Sequence, residues 1–260
     1  MDDLERSKFP KDIATVKANF PGLGPSSRII RRRQLFGRGS QRPNLIPRID
    51  SASIYVAGLI GLCSAVTVAY WATVARGRKQ GNWEPLQFIE RNFVCSVDNF
   101  KSGRWWIVLT CSFAHFQPLH LIANMWALWD IGRQFVWIFG APAFVGTWFV
   151  SAITGSLGSL YWERHKNSDN MPTMGGSLGS SAAILGLMFA QHTFMPSTPP
   201  RVPLIPRAIP AWSFCAFLVG ASVYCLYSGS LPIIGHAGHL GGMAGGVATY
   251  FLFLRRIFRR

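Results

Sequence analysis

Four side chains in this chain are of types that can act together on a carbonyl: Ser181, His239, His120 and Asn124. A serine hydroxyl is a weak nucleophile and needs a neighbouring base to take its proton, a task for which histidine suits neutral pH. His120 and Asn124 are spaced i, i+4, so a helix carries both on one face. A neutral imidazole, an asparagine amide and a backbone N–H near a helix start are suitable donors toward a developing oxyanion. No carboxylate sits at a matching depth, since Asp130 falls at the far end of its segment. The pattern favours a Ser181–His239 dyad over a triad. One such serine alone means little, because serines in apolar helices ordinarily pack or bond back to the i−4 carbonyl.

The elements that must position these residues are membrane helices. Only 14% of the residues are charged and 49% are hydrophobic, against about 25% charged in soluble domains. The net charge of +15 crowds into the first 50 positions, Arg76–Lys79 and the Arg255–Arg260 tail. Long uncharged tracts with basic flanks describe a multi-pass membrane protein and exclude a basic nucleic-acid domain. The five cysteines are odd in number and lack zinc-ligand spacing. His236 and His239 with His115 and His120 are a minor metal-site alternative, lacking a carboxylate or cysteine to complete the set. His165 and His192 fit no pattern.

Residues 1–52 hold no apolar run of spanning length, and Met1–Glu5 is acidic, unlike a transit peptide. This tail reads as disordered chain beside anionic headgroups, with a delayed targeting region over the arginines of 28–48 as the alternative. Ser53–Ala75 carries no charge and forms the first span, a span needing about 20 apolar residues. Arg76–Gly103 reads as a long loop. The second half of Trp105–Trp129, ending before Asp130, is span two, and 142–162 is span three after the Gly140-Ala141-Pro142 break. Span four runs from about Ser177 to Phe194. The uncharged tract Ala208–Leu254 divides at Ser228–Pro232 into spans five and six. The expected fold is an all-α integral-membrane bundle of six transmembrane helices over 53–254, with 255–260 as a basic tail.

Six spans put both termini on one side with the basic segments, and put Glu84, Glu90, Asp98, Glu163 and Asp169 on the other. Ser181 lies six residues past Gly175 and His239 seven past Pro232, so both are expected roughly 10 Å along helices entering from the acidic face. His120 and Asn124 open span two from that face. Gly238, Gly242 and Gly246 repeat at i+4, and Gly175, Gly176, Gly179 and Gly186 thin span four. Small-residue stripes of this kind let membrane helices approach closely.

These motifs resemble the rhomboid intramembrane serine proteases. The carrying residues are Gly179-Ser180-Ser181-Ala182, Gly238-His239-Leu240-Gly241-Gly242 and the run from His115 through His120 to Asn124. The phrase Ser177–Ile184 is most similar to the mitochondrial branch. Departures are Ala182 where glycine often follows the nucleophile, Gly238 where alanine is common, and the order Arg104-Trp105-Trp106. Mitochondrial members usually carry a further helix before the core, for which this chain has no room.

The resemblance implies Ser181 as nucleophile, His239 as general base, and His120 with Asn124 as the oxyanion site. It implies single-span membrane proteins as substrates, a lipid bilayer as the medium, no nucleic acid, no cofactor and no metal. The mitochondrial inner membrane is the expected location. Polar lining by His115, His120 and Asn124 is expected to admit water. Two other classes stay open: a rhomboid-like protein that binds transmembrane clients without cutting them, and a small transporter using the histidines as a proton relay.

Overall fold

The computed structural model describes residues 51–168, 176–199, 209–231 and 234–257. The expectations for the N-terminal tail, for Asp169, Gly175 and Pro232, and for the last three residues of the basic tail lie outside the described residues.

Every named element is helical. The long helices are α1 (Ser51–Gln80), α5 (Pro118–Phe139), α6 (Ala141–Ser168), α7 (Ser181–Phe194), α8 (Ala211–Ser228) and α9 (His236–Leu252). Between α1 and α5 lie three short helices, α2 (Glu84–Phe93), α3 (Val97–Lys101) and α4 (Ile107–Thr110), and a 3-10 turn at Cys111–Phe113. The expected loop after the first span is therefore a small helical layer. Pro85 opens α2, and the Ser96 hydroxyl caps α3 by accepting from the Asn99 N–H.

Among the described residues, three helices have the length and composition to cross a membrane: α1 over Ala52–Gln80, α6 over Ala141–Lys166 and α8 over Ala211–Ser228. The other three depart from the expected six uniform spans for visible reasons. Helix α5 does not stop before Asp130 but runs through Asp130 and Arg133 to Phe139, where Gly140 reverses the chain at φ 87°. Helices α7 and α9 have 14 and 17 residues, shorter than the roughly 20 that hydrocarbon requires. Both are wrapped by neighbours, α9 packing mainly on α6 and α7, so neither must present an apolar surface all round.

Large apolar side chains point outward while small polar ones are enclosed. Leu119, Ile122 and Trp126 form an exposed stripe on α5, whereas Thr147, Ser151, Ser156, Ser180 and Thr249 are buried. That inversion suits lipid, where burying apolar surface drives nothing and close packing and hydrogen bonds hold helices together. The main apolar cluster joins Val56, Leu128, Phe135, Phe144, Trp148, Ile184 and Leu187. A second cluster of Met188, Phe189, Phe214 and Met243 ties α8 to α7 and α9.

Helix contact at the centre is set by glycine. A Cβ on Gly242 would run into the Ala182 carbonyl, and one on Gly246 into the Gly186 carbonyl. The expected i+4 stripe divides between two neighbours. Gly242 and Gly246 face α7, while Gly238 faces Ser159 of α6, with Gly241 and Gly245 against Thr154.

Candidate active site

Helix α7 starts later than the sequence suggests. Gly176 to Ser180 precede it, and Ser181 is its first residue rather than one well inside a span. Two features force the late start. Gly179 sits at φ 109°, where an L side chain is strained, and a Cβ there would lie 2.6 Å from His120 Cε1. The segment before the helix is also pinned to the preceding layer. Cys95 and Ser177 exchange backbone hydrogen bonds of 2.9 and 2.8 Å, and the Gly179 N–H donates to the Cys111 carbonyl at 2.9 Å.

His239 is on the first turn of α9, its N–H closing the first bond to the Gly235 carbonyl at 2.9 Å. His120 is on the first turn of α5, which Pro118 opens. The depth of about 10 Å expected along the helices is corrected accordingly: the residues converge because three helices begin at one level. The close approach of α7 and α9 brings Ser181 Oγ to 2.8 Å from His239 Nε2. A hydroxyl at that distance from an unprotonated imidazole nitrogen can hand over its proton as the oxygen attacks. Both residues are half-buried rather than fully enclosed.

Asn124 is buried one turn after His120, its Nδ2 donating to the His120 carbonyl at 2.8 Å. Its Oδ1 lies 3.5 Å from Ser180 Oγ. The His120 ring lies against Gly179 and, edge to face, 5.0 Å from the His115 ring. Both donors therefore flank the start of α7. His115 does not line a water path: it is fully buried, and its Nε2 lies 3.1 Å from both the Ser180 N and the Ser180 Oγ. Among the described residues no three His, Cys, Asp or Glu side chains are grouped as metal ligands. His192, without a pattern in the sequence, is buried with its Nδ1 3.8 Å from Cys215 Sγ.

Sequence reasoning missed the layer that holds the serine segment. Cys95 and Cys111 are buried free thiols, and both reach Ser156 of α6: Cys95 Sγ is 3.9 Å from its carbonyl and Cys111 Sγ 3.2 Å from its hydroxyl. The Cys111 neighbour and burial hold the Cys95 thiol well above its ordinary pKa, so Cys95 packs as a neutral group. Nothing in the cysteine spacing signals this, because the bonds to Ser177 and Gly179 are made by backbone atoms.

Residues 102–256 match the Rhomboid domain family. The chain is similar to RHOMBOID-like protein 12, mitochondrial, of Arabidopsis thaliana, at 29% identity over 168 residues, covering 61% of this chain and 49% of the relative. It is 31% identical over 144 residues to Rhomboid protein 1, mitochondrial, of Saccharomyces cerevisiae, covering 54% of this chain and 39% of that protein. To Rhomboid protease GluP of Bacillus subtilis it is 25% identical over 150 residues, covering 55% and 25%. The chain thus spans about half or less of the length of these relatives. Matched family and apolar helices together settle its class: the chain belongs to the rhomboid family, in its mitochondrial branch, and is a multi-pass integral membrane protein.

Proposed function

We propose that this protein is an intramembrane serine endopeptidase acting through Ser181 and His239. The observation that carries the reading is the 2.8 Å contact between Ser181 Oγ and His239 Nε2. Support also comes from a relative named as a protease, GluP of Bacillus subtilis. In this reading α5, α7 and α9 cross the membrane with α1, α6 and α8, making six spans in the mitochondrial inner membrane. Substrates are single-span membrane proteins whose helix unwinds near the acidic face.

The chemistry runs in two halves. Ser181 Oγ attacks the scissile carbonyl carbon as its proton passes to His239 Nε2, and the carbonyl oxygen becomes an oxyanion. His120, Asn124 and the Ser181 N–H receive that charge. Collapse breaks the C–N bond, His239 returns the proton to the leaving amine, and an acyl–Ser181 remains. Water, deprotonated by His239, then releases the acid and restores the serine.

Labelling of the detergent-solubilised protein with a fluorophosphonate probe tests this. Wild type should label, and Ser181→Ala and His239→Ala should each lower the rate by about 10³-fold or more. Folded wild type that fails to label, or Ser181→Ala that still labels, would sink the dyad and favour the client-binding alternative.

A further inference from the structure

The hydroxyl beside Ser181 belongs to Ser180, and its partners are not those of an ordinary helix start. Ser180 is the N-cap of α7, where a serine usually turns its oxygen onto the N–H of the second or third helical residue. It makes no such bond. The fully buried side chain instead puts Oγ 3.1 Å from His115 Nε2 and 3.5 Å from Asn124 Oδ1. The Ser180 N–H donates to the same His115 Nε2, N to N 3.1 Å.

Proton accounting gives this cluster a direction. A ring nitrogen that accepts an amide N–H carries no proton, so the neutral His115 holds its hydrogen on Nδ1. The single lone pair of Nε2 is occupied by the amide, which leaves Asn124 Oδ1 as the acceptor for the Ser180 hydroxyl. With Oδ1 so held, the Asn124 NH₂ faces the other way and gives one hydrogen to the His120 carbonyl at 2.8 Å. Among the described residues its second hydrogen has no acceptor.

We propose that Ser180 is a positioning residue. Its hydroxyl fixes the Asn124 amide in the orientation that presents a donor to the oxyanion formed at Ser181. His115 is the anchor that turns Ser180 away from capping. The proposal rests on the protease reading above. A buried serine that merely satisfies its neighbours would affect stability, whereas a positioning serine changes the rate of the bond-forming step.

The test is inactivation kinetics with a fluorophosphonate, resolving the maximal rate kinact from the binding constant KI. Ser181 Oγ bonds to phosphorus, fluoride leaves, the hydroxyl proton passes to His239, and the phosphoryl oxygen takes the oxyanion position. Ser180→Ala should lower kinact roughly tenfold with KI unchanged, a loosened donor costing less than the 10²–10³ of a deleted one. Ser180→Cys, close in shape with a weaker donor, should fall between and keeps the test alive if the alanine variant folds poorly. Asn124→Ala should cost about 10², and adding Ser180→Ala to it should cost nothing further. An unchanged kinact in Ser180→Ala, or a loss that multiplies in full with Asn124→Ala, would overturn the positioning role while leaving the dyad standing. Wild type that does not label would remove both.

Discussion

Helices α8 and α9 are neighbours in the chain, similar in length and equally free of charge, yet they meet the protein in opposite ways. Helix α9 buries Gly238, Gly242, Met243, Gly245, Gly246 and Thr249. Helix α8 buries only Ala211, Phe214 and Ser222, and turns Trp212, Phe217, Tyr224 and Tyr227 outward. Hydropathy cannot separate the two, because lipid and a packed helix are alike to a leucine. Small residues separate them. Where glycine recurs, backbones approach until carbonyls occupy the space of a missing Cβ, as Gly246 and the Gly186 carbonyl do. The residues of the proposed dyad sit on the two helices so joined, α7 and α9, and α8 contributes none.

Substitutions that add volume should widen this contrast. The largest effect is expected at Gly246→Val, whose side chain meets the Gly186 backbone, which cannot rotate away. It should lower stability by about 3 kcal/mol, as severe overpacking does. Spreading α7 from α9 by about 1 Å should also lower fluorophosphonate labelling roughly 100-fold. Thermal unfolding and labelling of the same preparation measure both.

Gly179→Ala acts at the site rather than in the bundle. The new methyl must enter the space of the His120 ring at a backbone angle that disfavours it. Labelling should fall by roughly 30-fold through displacement of His120, less than for an outright deleted donor at its upper limit. Wild-type labelling would show that His120 takes no part.

The smallest effect is expected on α8. A Cβ on Gly220 meets nothing within 4 Å, so Gly220→Ala should leave labelling unchanged. It should stabilise the helix by up to about 1 kcal/mol through backbone entropy. A loss of activity in this variant would show that the outer helix is coupled to the dyad and would break the comparison.

Much of this arrangement is legible from residue types. The charge-free tract Ser53–Ala75 sits inside α1, and Gly140 ends α5 where the glycine-alanine-proline run suggests. Ser181, His239, His120 and Asn124 stand out because reactive types recur at the starts of apolar segments. The exact start of α7 was not legible, because one glycine within Ser177 to Ser180 disfavours helix without forbidding it. They are kept out of the helix by backbone bonds to Cys95 and Cys111 and by the His120 ring against Gly179. His115 reads as a polar lining residue, yet it is buried against Ser180. Spacing gives no direction for a side chain that lies between helices.

The sequence by itself determined a membrane bundle, the identity of four chemically capable side chains, and the glycines that let two short helices touch. Those follow from hydropathy, residue type and periodicity, which are local properties. Tertiary structure decided the 2.8 Å contact across 58 positions of chain, the late start of α7 and the partners of Ser180. Each depends on where one backbone stops against another, and that distance is set by packing among α6, α7 and α9 together rather than by any single segment.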